Sequence, residues 1–257
     1  MSFFHSRRFL ALCTALLWWF SGAFGVWALG WIALAPFFVL LDGLPRRARF
    51  RAGYATGFVS FWLINWWLVP TITRGAPAID APVVAGFFLS VVAVTFIAAV
   101  HALQPALVAL LWRGNPLWRP FIVALAWAAG DWIRTLTPLA HEWGALAFSQ
   151  TGNLPFLQVA AVLGQHGLTF FCAFFAACLA LWWKNRNKKW ILAPVLTMLA
   201  LHIWGVFRLQ TPIEGENLRV LLVQTAVSSL RKTGRGTGEE PRPQAFRLTG
   251  EALARLP

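Results

Sequence analysis

The sequence predicts an α-helical polytopic membrane protein with about seven transmembrane helices, and three observations predict it. Of its 257 residues, 58% are hydrophobic and only 12% charged, against about 25% charged in an ordinary soluble domain. Apolar runs recur at the length of about 20 residues needed to cross roughly 30 Å of hydrocarbon. Lys and Arg collect in alternate gaps between those runs: Arg7 and Arg8; Arg46, Arg47, Arg49 and Arg51; Arg113 and Arg119; Lys184, Arg186, Lys188 and Lys189. The intervening gaps hold only Arg74 and Arg134. Basic residues flanking short loops stay cytoplasmic, because translocating them is costly and the inside-negative potential opposes it. The alternation therefore places the N-terminus and the even-numbered loops inside. It also accounts for twelve of the 22 Lys and Arg, so the net charge of +13 reads as an orientation signal and not as a nucleic-acid footprint.

The runs fall at 9–22, 24–41, 52–69, 82–111, 119–134, 160–183 and 190–208. The first two join through Ser21, Gly22 and Gly25, which suits a tight helical hairpin. The fourth is long enough to tilt or to kink at Pro105, where a backbone donor is missing. A basic N-terminus followed by Phe9–Phe20 has the outline of a secretory signal. Against that, no small-residue cleavage site closes the run, and Trp18, Trp19 and Trp27 continue it. Leu12 is too large to precede the Cys of a lipidation box, so Cys13 reads as a core or lipid-facing residue.

Beyond Phe207 the composition changes. Gln210–Pro212 and Glu214–Asn217 read as a polar linker, and Leu218–Val223 as a short buried strand. From Arg231 the glycines 234, 236 and 238 and the prolines 241 and 243, set among charges, predict loop or disorder. A segment of 212–257 with one strand cannot bury enough surface to fold alone. The expected division is thus a helical membrane domain over 1–211 and an outside segment over 212–257.

Chemistry-bearing residues are few. Cys13, Cys172 and Cys178 all fall within expected spans, where a thiol out of reach of water is a poor nucleophile. No spacing resembles a zinc site, a glycine-rich phosphate loop or a helical His pair, so no metal or cofactor is implied. Asp131 and Arg134, at i and i+3, share one face at the end of the fifth span. They read either as a structural ion pair that lets the helix end, or as the polar wall of a lipid-headgroup or peptide site. The following outside loop carries His141, Glu142, Trp143, Ser149 and Gln150. His141 and Glu142 suggest acid–base work, yet as sequence neighbours they need not face each other. Trp143 is either an interfacial anchor or part of a site. His101 and His202 are expected as satisfied residues of the bundle. Asn65, beside Trp66 and Trp67 near the outer end of the third span, is placed to bridge helices or cap a cavity.

The order Asp131-Trp132-Ile133-Arg134, Trp143, Phe148-Ser149-Gln150, Leu163-Gly164 and Thr169-Phe170 resembles the membrane part of the apolipoprotein N-acyltransferases. Those proteins show an acidic residue, two apolar residues and Arg, then a Phe-Pro-Trp loop and a Tyr-Ser-Gln turn. Ile64-Asn65-Trp66 and Trp31–Pro36 match further motifs. Val220–Gln224 resembles the first strand of the α/β nitrilase-like domain that follows the seventh span in the family. The resemblance covers about residues 9 to 232. It implies an enzyme of the bacterial inner membrane that moves an acyl chain from a phospholipid to the α-amino group of a diacylglyceryl-cysteine on an apolipoprotein. The family works through a thioester on a Cys activated by Glu and Lys, which divides a hard transfer into two easier ones. The resemblance offers Asn65, Trp66, Asp131, Arg134 and Trp143 as substrate-binding candidates.

The family's catalytic Glu, Lys and Cys belong to the nitrilase-like domain, so none of them is carried over. Lys232 matches a Lys that is not the catalytic one, and Thr233 stands where Trp is expected. Asp131 stands for Glu, and His141-Glu142 for the Phe-Pro before Trp143. The expectation is the membrane half of such an acyltransferase, truncated, split or decayed and inactive alone, with 212–257 an incomplete start of the periplasmic nitrilase-like domain. The alternative is a lipid-binding membrane scaffold acting with a separate nitrilase-like partner. Transport is less favoured, because the two halves show neither a repeat nor paired broken helices.

Overall fold

The computed structural model describes residues 6–136, 141–212, 215, 220, 222 and 241–254, and every regular element among them is helical. In chain order these are α1 (Arg7–Ala23), α2 (Trp27–Ile32), α3 (Ala35–Leu41), α4 (Arg46–Asn65), α5 (Leu68–Gly75), a 3-10 turn (Ala76–Ile79), α6 (Val83–His101) and α7 (Leu103–Leu110). There follow α8 (Arg119–Thr135), a second 3-10 turn (Leu146–Gly152), α9 (Leu154–Leu157), α10 (Ala160–Asn185), α11 (Lys189–Gln210) and α12 (Pro241–Leu253). The chain forms two compact units, one of Met1–Trp67 with Ala93–Pro212 and one of Leu68–Val92 with Ile213–Pro257.

Prolines set the breaks between helices. Pro105 cannot donate to the carbonyl of His101, and the fourth run divides into α6 and α7 at Ala102. Pro70 likewise leaves the Trp66 carbonyl without its helical donor, and α4 gives way to α5 there. Pro36 sits in the first turn of α3 and Pro120 in that of α8, where no intrahelical donor is needed.

Each of the seven expected runs is helical, but length separates them. Among the described residues three helices are long and apolar enough to cross a membrane: Val83–Leu110, Ala160–Asn185 and Lys189–Gln210. Arg46–Asn65 and Leu68–Gly75 pass the same test only when taken together as one broken span. α1 and α8 have 17 residues each, and α2 and α3 are shorter still. The chain is a polytopic helical membrane protein.

Within the first unit, α10 packs against α8, α3, α2 and α11, and α4 packs against α7 and α1. Ala173, Ala176, Ala177 and Ala180 give α10 a buried face of small residues, which lets neighbouring backbones approach closely. α4 uses Gly57 the same way, since a Cβ there would lie 2.2 Å from Pro105 Cγ on α7. Rings fill the wider space. Trp18 meets Phe61 at 5.1 Å and Trp127 at 5.3 Å, both edge to face, the geometry favoured by the ring quadrupole.

In the second unit the expectation of loop from Arg231 onward is corrected over Pro241–Leu253, which is α12. Both prolines lie in its first turn, where a missing donor costs nothing, and Arg247 pairs with Glu251 at 2.9 Å one turn later. The strand expected over Leu218–Val223 lies outside the described residues, apart from Val220 and Leu222, which belong to no regular element.

Candidate functional site

The helix ends away from the basic clusters carry a buried polar node centred on Asp131. Its carboxylate is 2% exposed. Oδ1 accepts from Arg134 Nη2 at 2.8 Å and from Gln104 Nε2 at 2.8 Å, and Oδ2 accepts from Thr169 Oγ1 at 3.1 Å. Three helices, α7, α8 and α10, thereby meet on one side chain. A buried carboxylate is tolerated only when paired and hydrogen-bonded, and both conditions hold. Arg134, 5% exposed, also donates from Nη1 to the Trp143 carbonyl at 3.2 Å and lies 5.0 Å over the Phe61 ring.

Next to this node is an open cleft of about 340 Å³, walled by Trp18, Trp19, Ile64, Trp66, Trp143 and Phe148. Trp66 and Trp143 are 47% and 41% exposed, and the Trp143 ring packs edge-on to Trp67 at 4.6 Å. Trp18 donates from Nε1 to the Gly144 carbonyl at 2.7 Å, which fixes the loop to the end of α1. The wall is apolar with a few indole donors, a surface suited to acyl chains with a wet end.

The candidates thus divide. Trp66 and Trp143 line the cleft. Asp131 and Arg134 are not part of its lining and join it through the Trp143 carbonyl. Asn65 is fully buried, and its Nδ2 donates to Phe61 O of its own helix at 2.8 Å.

A second node holds the loop against α2. Gln150 accepts from Trp31 Nε1 at 3.0 Å and donates to the Trp27 carbonyl at 2.8 Å. Asn153 donates to Gln150 Oε1 at 3.2 Å and meets His202 Nε2 at 3.0 Å. Gly30 is what allows this approach, since a Cβ there would come within 2.1 Å of Ser149 Oγ. His202 is a satisfied residue of the bundle, as expected, with Nδ1 at 2.8 Å from Met198 O.

His101 corrects the same expectation: it is buried, and neither ring nitrogen has a hydrogen-bond partner among the described residues. Its ring instead meets His141 edge-on at 4.4 Å and Phe61 at 5.3 Å. His141 and Glu142 turn to different neighbours, His141 to His101 and Trp143, Glu142 to Gln165 Nε2. Burial first, and the Arg134 charge second, push the His141 imidazole down to about 4. Sequence reasoning missed Gln104, whose polarity inside an apolar run was the available signal, and the roles of Trp18 and Trp19 in the cleft wall.

A bundle of long apolar helices with a buried acidic node and a tryptophan-walled cleft at the end away from its basic residues defines the class: a polytopic helical membrane protein. Residues 14–178 match the family model of the apolipoprotein N-acyltransferase N-terminal domain. The chain belongs to the apolipoprotein N-acyltransferase family. It is 26% identical to the apolipoprotein N-acyltransferase of Geobacter metallireducens over 91% of this chain and 46% of that protein. Likeness to the Bradyrhizobium diazoefficiens enzyme of the same name is 28% over 86% and 46%, and to that of Shewanella oneidensis 29% over 78% and 38%. The chain spans about half or less of the length of these curated relatives.

Proposed function

We propose that residues 1–211 form the membrane domain of an enzyme that transfers an acyl chain from a phospholipid to the N-terminal diacylglyceryl-cysteine of apolipoproteins. The observation that carries this reading is the tryptophan-walled cleft tied to the Asp131 node through Arg134 and the Trp143 carbonyl. In this reading Trp66 and Trp143 touch lipid. Asp131 and Arg134 hold the loop in place, and Asn65 backs the wall. The seven runs cross the bacterial inner membrane with the N-terminus cytoplasmic, and the cleft opens at the periplasmic face. Residues 1–211 are the membrane domain, and 212–257 lead from it toward a nitrilase-like region.

The reactive Cys comes from outside these residues. Cys172 and Cys178 are buried in α10, and Cys13 is half-buried in α1, so none meets a substrate in water. These residues alone are then inactive, and a nitrilase-like region, in the same polypeptide or in a partner, completes the reaction.

The test uses the purified chain in nanodiscs containing a phospholipid with a diazirine in its acyl chain. Crosslinks concentrate on α1, the end of α4 and the 141–152 loop, and Trp66→Ala with Trp143→Ala lowers them several-fold. Crosslinking spread evenly over the apolar surfaces of α6 and α11 rejects the cleft as a lipid site. With a diacylated lipopeptide added, no triacylated product forms. A hydroxylamine-labile acyl adduct on Cys13, Cys172 or Cys178 overturns the assignment of the nucleophile.

A further inference from the structure

The opposite, basic end of the bundle carries a second groove that the acyl-transfer reading leaves unused. It has a volume of about 310 Å³ and runs between α1 and α4, with Arg7, Arg8 and Arg51 at its rim and Leu44, Ala52 and Ala55 on its walls. The charge balance there is one-sided. The first unit has three acidic residues, Asp42, Asp131 and Glu142. Asp131 and Glu142 are engaged at the other end by Arg134 and Gln165. Asp42, the one carboxylate near the basic end, pairs with Lys184 and lies 3.9 Å from Arg119. Among the described residues Arg7, Arg8 and Arg51 therefore have no carboxylate partner, although they converge on one groove. Thr56 lines the same groove, about 7.5 Å beyond Arg51 at 1.5 Å rise per residue. It is buried, and its hydroxyl has no hydrogen-bond partner among the described residues.

We propose that this groove holds one anionic glycerophospholipid of the adjacent leaflet. The phosphate sits among the three guanidiniums, an ester carbonyl accepts from the Thr56 hydroxyl, and an acyl chain runs along the alanine wall. Guanidinium meets phosphate oxygens bidentately through its planar set of donors, and basic pockets between transmembrane helices hold anionic headgroups in this way. The walls choose the source of the phosphate. A soluble anion gains nothing from Leu44, Ala52 and Ala55, whereas each buried methylene of an acyl chain gains from leaving water.

Native mass spectrometry of the full chain, released from micelles containing phosphatidylglycerol and phosphatidylcholine, reads the site directly. One phosphatidylglycerol is retained in preference. Replacing Arg7, Arg8 and Arg51 with Gln lowers that preference about fivefold per residue, the equivalent of about 1 kcal/mol each. Arg46→Gln with Arg47→Gln, at the same end but outside the groove, leaves it unchanged. Ala52→Phe fills the groove without altering charge and abolishes retention; should the triple variant fail to give a monodisperse preparation, Ala52→Phe decides alone. Equal loss in the Arg46/Arg47 control means diffuse attraction to the membrane surface and overturns the proposal. So does retention that survives Ala52→Phe, or displacement of the lipid by excess inorganic phosphate.

Discussion

Asp131 is the side chain on which three helices converge, so its substitution tests whether the node supports the fold. Asp131→Asn leaves the Arg134 guanidinium buried beside a neutral amide, and removing one partner of a buried pair costs about 3–5 kcal/mol. Unfolding in detergent followed by tryptophan fluorescence should show a loss of that size, and Asp131→Glu should recover most of it. A loss below about 1 kcal/mol would show that water already reaches the pair, since exposed pairs contribute no more than that. His141 supplies a pH dependence with a definite sign. Its folded-state value of about 4 lies below the ordinary 6.5, so the unfolded loop binds the proton more readily than the folded one. The resulting stability is fully present above about pH 6.5 and is lost as pH falls toward 4. Hydrogen exchange in residues 141–152 should accelerate over that window, and His141→Phe should flatten the change. The Asp131–Arg134 contact was legible in the sequence because i and i+3 share a helix face. Its other partners were not: Gln104 and Thr169 lie 27 and 38 residues away, and spacing within one helix cannot reveal a partner on another.

At the scale of elements, proline and glycine explain most of what the sequence predicts well and part of what it predicts poorly. The Pro105 break follows from a missing donor and is local, so it was readable in advance. The seat of α7 on α4 depends on which glycine faces which proline, and that became visible only with the helices in place. Gly57→Ala should destabilise the bundle by about 1–3 kcal/mol through overpacking against Pro105. Gly22→Ala has nothing within 4 Å of the added Cβ and should be neutral or slightly stabilising, because alanine is the better helix former. Equal effects from the two substitutions would mean that helix propensity, and not close approach, governs both sites. α12 is hidden in the sequence because Pro241 and Pro243 read as helix breakers. In a first turn they are compatible with a helix.

At the scale of the whole molecule, the open quantity is the number of crossings, and two loop positions decide it. If only the three long helices and the broken α4–α5 span cross, everything between α7 and α10 lies on one side, so Leu117 and Thr151 face the same compartment. If α8 also crosses, as the proposed topology of seven spans requires, they face opposite compartments. α8 has 17 residues, about 25 Å at 1.5 Å each, a few Å short of the hydrocarbon core. Arg119 at its start and Trp132 near its end suit a slightly short span, since Arg extends its stem to reach the interface and Trp anchors at headgroup level. Arg113 and Arg119 on either side of Leu117 argue that it stays inside. Leu117→Cys and Thr151→Cys are both at exposed positions, and the native cysteines are buried or half-buried, so a membrane-impermeant maleimide should have little background. In intact spheroplasts Thr151→Cys should label and Leu117→Cys should label only after lysis. Labelling of both before lysis would remove α8 from the membrane. It would also separate the cleft from any account in which alternate loops face opposite sides.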